Sequence, residues 1–327
     1  MRLLLVGDVN LAGAVNERLR VRPPGDPWGD TLPLFEAASL RICNLECTLT
    51  DAGRRWHWPF KKYFHRSDEK NVAALTAAGI DVAVLGNNHT FDYGATGLER
   101  TVRALDGAGV AHPGAGRTLA EAEAPAIVHA AGLRVGVVAF MDDERWAAAG
   151  PSKAGRFYSP VKPGDRWAAR VLASVRGARP QVDVLIASAH WGSNWGDRPA
   201  DAQRAFGRAL VDAGADLVFG HSAHVLRGVE WVGRAPILYS AGDFVDGYGP
   251  SGRGPNQDSA IFTADWEAGG IRALAARPIV IRDGQARLAP ALDAARIAGR
   301  LDRLCADLGT ATQVLPDGLT LEITPAG

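Results

Sequence analysis

Four segments of the chain each end a short apolar run with residues of the kinds that bind metal ions: LLLVGDVN (residues 3–10), DVAVLGNNHTFD (81–92), DVLIASAHWG (183–192) and ADLVFGHSAH (215–224). A short, continuous apolar run is typical of a strand that is buried on both faces of a sheet. Open α/β folds bind their ligands at the carboxyl ends of parallel strands. The four segments therefore predict an α/β fold whose polar ligands gather along one edge of a sheet.

The histidines favour the same edge. Four of the eight histidines follow these apolar runs: His89, His190, His221 and His224. A lone histidine in such a place is more often a core residue, but repeated placement at strand ends favours a metal centre. Mixed nitrogen and oxygen donors suit Zn²⁺, Mn²⁺, Fe²⁺ or Ni²⁺, and a carboxylate-rich site also suits Ca²⁺. We expect one or two bound divalent ions.

Oxygen donors accompany the histidines. Asp8 and Asn10 follow the first run and together offer a carboxylate and an amide oxygen to a cation. Glu46 lies in the apolar stretch ICNLECTLT (42–50), where its carboxylate has to be paired, exposed or metal-bound, because burial of an uncompensated charge is costly. Asn88 stands beside His89, so its amide oxygen can bind a metal while the histidine acts as an acid or a hydrogen-bond donor.

Composition argues against several classes of protein. The chain has 327 residues and a formal net charge of zero, so it lacks the basic surplus of nucleic-acid-binding proteins. Three cysteines are too few for a disulfide framework. The first apolar run is too short for a secretory signal, and no run approaches the ~20 apolar residues of a membrane helix. We expect a cytoplasmic protein with no nucleic-acid partner and no membrane span.

Strand-like and helix-like segments alternate along the chain, which predicts a mixed sheet flanked by helices. Helices are expected from Ser67 to Gly79, around residues 98–105, and at 164–178, 199–214 and 290–307. The pair Asp283-Gly284 suits a tight hairpin turn. Because there is neither a repeat nor a low-complexity linker, residues 1–327 are expected to form a single domain. Its motifs lie in about residues 1–250, and C-terminal strands, a hairpin and a helix complete it.

Tryptophans lie close to the motifs. Trp28, Trp56, Trp58, Trp191 and Trp195 are all expected in loops and not in the cores of strands. They serve either to anchor these loops or to line an aromatic cleft for a peptide or another flat, partly apolar substrate. The sequence favours neither alternative.

Six motifs follow one another along the chain: GDVNL, NLECTLT, NNHTFDYG, HWGSNW, GHSAHVLRGVE and YSAGDFV. Their order and spacing resemble the bacterial capsule-synthesis CapA family of poly-γ-glutamate biosynthesis. That family is similar to the calcineurin-like metallophosphoesterases. The resemblance implies an α/β sandwich of two mixed β-sheets flanked by helices, with a two-metal centre at its edge.

The resemblance also implies roles for individual residues. His89, held by Asp92, matches a catalytic histidine that does not bind the metal. Glu46 takes the bridging place between two ions. The complete metal shell would consist of Asp8, Glu46, Asn88, His190, His221 and His224.

The chain departs from the family pattern at several positions. Asn10 stands where the superfamily has a histidine, and Glu46 replaces a bridging aspartate. Asn194 and Trp195 occupy the places of an acidic residue and a tyrosine, while Asp243 occupies the place of an asparagine. Loss of the imidazole weakens one metal position, so a single tightly bound ion is an alternative to two. We expect Asn194 and Asp243, together with the tryptophans, to contact the substrate.

Three functions are compatible with these motifs. The first is a metal-dependent hydrolase, in which a metal-bound hydroxide attacks a phosphoester or a peptide or γ-glutamyl amide and His89 protonates the leaving group. The second is a metal-assisted peptide epimerase of a modified-peptide pathway, in which Asp8 and either His221 or His224 remove and return an α-proton. The third is a non-catalytic module of a polymer (capsule) synthesis assembly. We favour the hydrolase, with a peptide, phosphoester or polyglutamate-like substrate.

Overall fold

A computed structural model of the chain describes residues 1–57, 61–162, 164–247, 254–267 and 269–326. The strands in these ranges are β1 (Arg2–Val9), β2 (Leu40–Leu45), β3 (Thr48–Leu49), β4 (Arg66–Ser67), β5 (Val82–Val84), β6 (Ala115–Gly116), β7 (Ala126–Ala130), β8 (Leu133–Met141), β9 (Gly155–Arg156), β10 (Val184–His190), β11 (Leu217–His221), β12 (Val229–Val232), β13 (Ala235–Leu238), β14 (Asp243–Val245), β15 (Asp258–Glu267), β16 (Gly270–Arg282), β17 (Gln285–Leu288), β18 (Thr310–Val314) and β19 (Leu321–Pro325).

The α-helices in the same ranges are α1 (Ala14–Arg18), α2 (Leu32–Glu36), α3 (Val72–Ala77), α4 (Gly94–Ala108), α5 (Leu119–Glu123), α6 (Arg166–Ala178), α7 (Asp201–Asp212) and α8 (Ala291–Ala306). Short 3₁₀ turns span Asp26–Thr31, Glu69–Asn71, Arg145–Ala147, Arg179–Gln181 and Pro255–Gln257. None of the helices in the described ranges combines the length and the apolar character that a membrane crossing requires.

Most of the predicted helices are confirmed, and one start is wrong. Helices α4, α6, α7 and α8 lie where the apolar spacing predicts them. Ser67, however, does not cap a helix: it ends β4, and its hydroxyl donates to Asn16 Oδ1 at 3.0 Å. The helix begins only at Val72, after a 3₁₀ turn. The hairpin turn at Asp283-Gly284 is confirmed, with φ of 52° and 74° at its two residues, as a tight hairpin turn requires.

Two mixed sheets form the body of the described structure. The first has nine strands, in the order β18-β19-β16-β15-β1-β2-β5, with β14 beside β1 and β17 beside β16. The second has six, in the order β12-β13-β11-β10-β8-β7. The strands that precede the polar motifs run parallel to their neighbours: β1 to β2 and β14, β2 to β5, and β10 to β8 and β11. This arrangement confirms the predicted α/β sandwich of two mixed sheets flanked by helices.

Burial on both faces explains why the strands are continuously apolar. In β1, Leu3 and Leu5 belong to the core between the two sheets, whereas Leu4 and Val6 belong to a second core on the outer face of the first sheet. A third core lies on the outer face of the second sheet, where it includes residues of α6 and α7. Because every face is covered, the strands lose the polar alternation of a half-exposed sheet.

Candidate metal centre

The carboxyl ends of strands from both sheets bring acidic and imidazole side chains together. One set, which we call the histidine-rich group, consists of Asp8, His190 and His221. The other, the carboxylate-rich group, consists of Asp8, Glu46, His224 and Asp243. Within each group the potential ligand atoms all lie within 4.8 Å of one another, and Asp8 belongs to both.

Distances between the side chains show that the two groups are adjacent. Glu46 Oε1 lies 3.7 Å from His190 Nε2, so the glutamate stands between the groups. Asp8 Oδ1 lies 3.9 Å from His221 Nδ1, and Asp8 Oδ2 lies 3.5 Å from His224 Nδ1. The two carboxylates are therefore placed to be shared by neighbouring cations.

Three oxygen atoms in this region are buried without a hydrogen-bond partner among the described residues: Asp8 Oδ2, Glu46 Oε1 and Asn88 Oδ1. A buried polar atom without a partner is costly, and each such atom calls for an explanation. A divalent cation in the carboxylate-rich group would supply the missing partner for Asp8 Oδ2 and Glu46 Oε1, and Asn88 lines the same cleft. Carboxylate, amide and imidazole donors are ligands that Mn²⁺, Zn²⁺, Fe²⁺ and Ni²⁺ accept, so the residues fit a metal ion.

Burial and like charges raise the pKa values of the carboxylates at the centre. Burial raises the pKa of Asp8 to about 7, and the neighbouring Asp243 adds to the rise while His224 opposes it. Burial also raises the pKa of Glu46 well above its usual range. Burial alone would lower the pKa of His224, but the surrounding carboxylates, Asp243 foremost, outweigh it and raise that pKa well above its usual value.

Two asparagines behind the centre hold Asp8 in place. Asn44 Nδ2 donates to Asp8 Oδ1 at 2.7 Å, and Asn87 Nδ2 donates to Asn44 Oδ1 at 2.9 Å. Asn87 Oδ1 in turn accepts the backbone N–H of His89 at 3.0 Å. Such outer partners orient ligands and tune their affinity. Asn44 was not predicted for this role, although it shares a strand face with Glu46.

His89 is held from two directions. Its Nδ1 lies 2.7 Å from Asp92 Oδ2, and the ring of His65 stacks on it with centroids 3.6 Å apart. The Lys61 ammonium, itself almost fully buried, lies 3.0 Å from Asp92 Oδ1. Burial, reinforced by the Lys61 charge, lowers the pKa of His89 well below its usual value. The ring is therefore neutral, and since Nδ1 is engaged by Asp92, Nε2 is the nitrogen left for the cleft.

A cleft of about 450 Å³ opens onto the carboxylate-rich group and His89. Asn194 and Trp195 line one part of it, and Lys62 and Tyr63 another. These four side chains are exposed, whereas Asp8 and Glu46 are buried. A substrate would therefore meet aromatic and polar groups before it reaches the centre.

Comparison with known proteins shows what this chain is similar to. The family model of bacterial capsule synthesis proteins, PGA_cap, matches residues 2–248. The chain belongs to this family. A Mycobacterium tuberculosis relative named "Probable polyglutamine synthesis accessory protein" is 36% identical over 340 aligned positions, covering 98% of this chain and 87% of the relative. The capsule biosynthesis protein CapA of Bacillus anthracis is 26% identical, covering 93% of this chain and 73% of its own length.

Solved structures confirm the metallophosphoesterase-type fold of this PGA_cap family member. A Staphylococcus aureus protein assigned as a 5′-nucleotidase superposes with a TM-score of 0.52 at 11% identity, over 88% of this chain and 54% of that one. A hypothetical protein from Thermus thermophilus superposes with a TM-score of 0.51 at 15% identity, over 85% of this chain and 98% of that one. At these identities the likeness shows the fold alone.

Two of the predicted substrate contacts are wrong. Trp28 and Trp191 are completely buried and cannot line the cleft. Trp28 packs against aromatic rings of the outer core, and its Nε1 donates to the Ala74 carbonyl at 2.7 Å. Trp191 stacks on Tyr239 and donates to that residue's carbonyl at 3.0 Å. Both rings anchor structure, because each finds an apolar slot with one acceptor for its N–H.

The other three tryptophans differ in position. Trp195 is 49% exposed in the cleft, with its ring centroid 5.8 Å from that of His224. Trp56 stacks on Trp146 at 5.6 Å and is not among the described residues that line the cleft. Trp58 lies outside the described residues. The aromatic cleft predicted from sequence therefore has Trp195 and the unpredicted Tyr63 as its described aromatic members.

The structure also changes the expected roles of His221 and Asp243. His221 is fully buried, with Nδ1 2.8 Å from His190 Nδ1 and Nε2 2.9 Å from Ser188 Oγ. The ring is enclosed and is not among the described residues that line the cleft, so His221 can belong to the histidine-rich group but is not placed to exchange a proton with a substrate. Asp243 lines the cleft as predicted for a substrate contact, but its Oδ1 lies 2.8 Å from His224 Nδ1, within the carboxylate-rich group.

Sequence reasoning missed the residues behind His89. Lys61, Tyr63 and His65 belong to the segment KKYFH (61–65), which contains neither strand nor helix periodicity. Contacts between distant segments bring these residues to the site: the backbone N–H of His65 donates to Asp92 Oδ2 at 2.6 Å, Lys61 Nζ lies 3.0 Å from Asp92 Oδ1, and the His65 ring stacks on His89. The presence of both Lys and His in a polar loop was the one available signal, and alone it is weak.

The raised carboxylate pKa values predict how pH affects the metal-free protein. Because the pKa of Asp8 is raised in the folded protein, its titration contributes to stability. This contribution is complete below the ordinary pKa of 3.8 and is lost as pH rises through about 7. The raised pKa values of Glu46 and His224 act in the same direction. The buried histidines with lowered pKa act in the opposite direction while their unfolded forms still bind protons, and above about pH 7.5 they are neutral both folded and unfolded and add no opposing trend.

We therefore expect the unfolding temperature of the metal-free protein to fall between about pH 7.5 and pH 8.5, and saturating Mn²⁺ to remove most of that fall. Differential scanning calorimetry with and without the ion measures both slopes. Identical slopes would show that the cation does not compensate these carboxylates.

Proposed function

We propose that this protein is a metal-dependent hydrolase that cleaves a phosphoester or a peptide or γ-glutamyl amide. One observation supports it most: three buried oxygens without a partner among the described residues converge beside a histidine whose ring is fixed by a carboxylate. A divalent ion would be held by these oxygens and the neighbouring imidazoles, from Asp8, Glu46, Asn88, His190, His221 and His224. Such an ion supplies Lewis acidity, which polarises a substrate oxygen and makes water a stronger acid.

The chain's own residues manage the proton. His89 Nδ1 is bound to Asp92, so the neutral ring offers the lone pair of Nε2 to the cleft. His89 accepts the proton that the attacking water loses and then passes it to the departing oxygen or nitrogen. Asp92 maintains this tautomer, and the Lys61 ammonium at 3.0 Å keeps Asp92 in place.

The names of the relatives suggest which amide to test. They refer to capsule, polyglutamine and PGA synthesis. For this chain we propose a γ-linked glutamyl peptide as the amide substrate, with phosphoesters as the alternative that the fold suggests. The exposed ammonium of Lys62, which lines the cleft, would attract the carboxylates of such a peptide or the charge of a phosphate.

The placement of acidic and basic groups favours hydrolysis over epimerisation. An epimerase needs proton carriers on opposite faces of one carbon atom. Asp8 Oδ2 and His224 Nδ1 are only 3.5 Å apart and belong to the same group, while His221 is enclosed. The pair that the sequence suggests therefore does not enclose a substrate from two sides.

A substrate panel tests the proposal. Purified protein is incubated with phosphomonoesters, phosphodiesters and γ-glutamyl peptides in the presence of Mn²⁺, Zn²⁺, Ni²⁺ or Ca²⁺. We expect hydrolysis of one class, loss of that hydrolysis with a chelator, and recovery on return of the ion. If no member is cleaved with any ion, the proposal fails.

The same panel in heavy water separates the alternatives. A peptide that takes up one deuterium without cleavage would identify an epimerase. Intact substrates without deuterium, together with retained metal binding, would favour the non-catalytic module of a synthesis assembly.

A further inference from the structure

Asn10 stands at the position where the superfamily motif has a histidine, but its amide is already used within the protein. Its Oδ1 accepts the backbone N–H of Ala12 at 3.0 Å, and its Nδ2 donates to Asp246 Oδ1 at 3.3 Å. Both ends of the amide are thus used to hold the loop after β1. A cation beside Asp8 would gain more from a charged carboxylate elsewhere in the chain than from this occupied amide.

Asp243 lies where such a ligand is needed. Strands β1 and β14 run parallel with Asp8 and Asp243 in register, so the two carboxylates leave adjacent strands at the same level. Asp243 is buried, with Oδ1 2.8 Å from His224 Nδ1 and Oδ2 3.4 Å from Asn256 Nδ2. Asn256 thus steadies one oxygen, and the other faces the group.

Two independent observations indicate a cation at this position. Asp8 Oδ2 and Glu46 Oε1 are buried and have no hydrogen-bond partner among the described residues. Their carboxylates share with Asp243 and His224 a cluster whose ligand atoms lie within 4.8 Å. Three carboxylates and one imidazole differ in character from the histidine-rich group, which has two imidazoles and one carboxylate.

We propose that Asp243 is a metal ligand of the carboxylate-rich group, and that its carboxylate gives this position a preference for a hard divalent cation such as Mn²⁺. Hard cations prefer oxygen ligands, whereas imidazole-rich positions suit Zn²⁺ or Co²⁺. This inference rests on the proposed function in one respect, that the centre holds divalent ions. It predicts two classes of binding site with opposite metal preferences.

A competing role for Asp243 is to accept a hydrogen bond from His224 Nδ1 and so orient that ring. The variant Asp243→Asn distinguishes the two roles, because asparagine retains an oxygen that can accept this bond but loses the negative charge. A ligand role predicts a fall in Mn²⁺ affinity of about 100-fold or more, beyond the usual cost of losing an outer partner. An orienting role predicts a fall below about 100-fold, within the usual cost of losing an outer partner.

The experiment measures free Mn²⁺ by electron paramagnetic resonance during titration of the metal-free protein, and Co²⁺ binding by its visible absorption. We expect Asp243→Asn to lose the Mn²⁺-binding site selectively and to keep the Co²⁺-binding site. Asp246→Asn is the matched control, because it removes a second carboxylate of the same cleft that lies outside the group. If both variants lower the affinity for Mn²⁺ equally, the loss of one negative charge from the cleft explains the effect, and the inference is overturned.

Circular dichroism establishes that the variants fold, and Asp243→Ser provides a second test if the asparagine variant does not. An Asp243→Asn protein that binds Mn²⁺ like the wild type would overturn the inference while leaving the proposed function intact. A wild-type protein that binds neither Mn²⁺ nor Co²⁺ would instead contradict the proposed function itself. The two failures are therefore distinguishable.

Discussion

Replacing Glu46 by alanine is expected to lower the affinity for divalent ions by about 100-fold or more, beyond the cost of losing an outer partner. The physical reason is position: the Glu46 carboxylate stands between the two groups, with Oε1 3.7 Å from His190 Nε2 and no hydrogen-bond partner among the described residues. Its loss would remove a ligand from the carboxylate-rich group and a charged neighbour from His190 of the histidine-rich group. Replacing His190 by alanine should also lower metal content, through the histidine-rich group, to which His190 belongs.

Elemental analysis and calorimetric titration measure the metal content and affinity of each variant, and circular dichroism checks that the fold is retained. Glu230→Gln is a matched control, since it removes another buried carboxylate that is paired with Arg208 and Tyr239 outside the centre. We expect this control to alter stability without altering metal content. Full metal content in both Glu46→Ala and His190→Ala would contradict the assignment of these ligands.

Replacing His89 by asparagine is expected to reduce turnover by about 100- to 10,000-fold while metal binding stays near the wild-type level. His89 lines the cleft but is not part of either cation group, so its loss removes the proton carrier and leaves the proposed ligands in place. Asp92→Asn should give a milder loss, since Asp92 acts through the orientation and tautomer of the ring. Kinetics on whichever panel substrate is hydrolysed measure both effects, beside elemental analysis.

His112 provides the matched control for His89. Its Nε2 lies 3.0 Å from Asp106 Oδ1, so it reproduces a histidine–aspartate pair away from the centre. We expect His112→Asn to hydrolyse substrate at the wild-type rate. A His89→Asn protein that retains full turnover would exclude His89 as the proton carrier, and one that loses its metal would make His89 a ligand or a structural support for the ligands.

Local sequence patterns determined the fold and much of the candidate site. The continuous apolar runs predicted strands buried on both faces, and the structure confirms the sandwich. Since parallel strands end at a common edge, the residues that follow the runs were predicted to converge, and Asp8, Glu46, His190, His221 and His224 lie together. The pair His89 and Asp92 was also predictable, because only two residues of turn separate them. The single-domain organisation and the cytoplasmic location stay predictions.

Other parts of the site depend on which strands become neighbours. Asp243 reaches the centre because β14 pairs with β1, and that pairing joins segments far apart in the chain. Lys61 and His65 reach His89 through a loop without any periodic pattern. Trp28 and Trp191 were expected in the cleft but are enclosed by the cores.

Apolar periodicity and strand-end chemistry are local properties of the chain, so they were enough to predict the strands, an α/β sheet and the residues that gather at its edge. The sandwich of two sheets was predicted from the resemblance of the six motifs to a known family. The order of strands in a sheet and the final burial of a side chain arise from packing between distant segments. The place of Asp243 in the centre, the support behind His89 and the tryptophans that face the cleft could therefore be seen only in the folded chain.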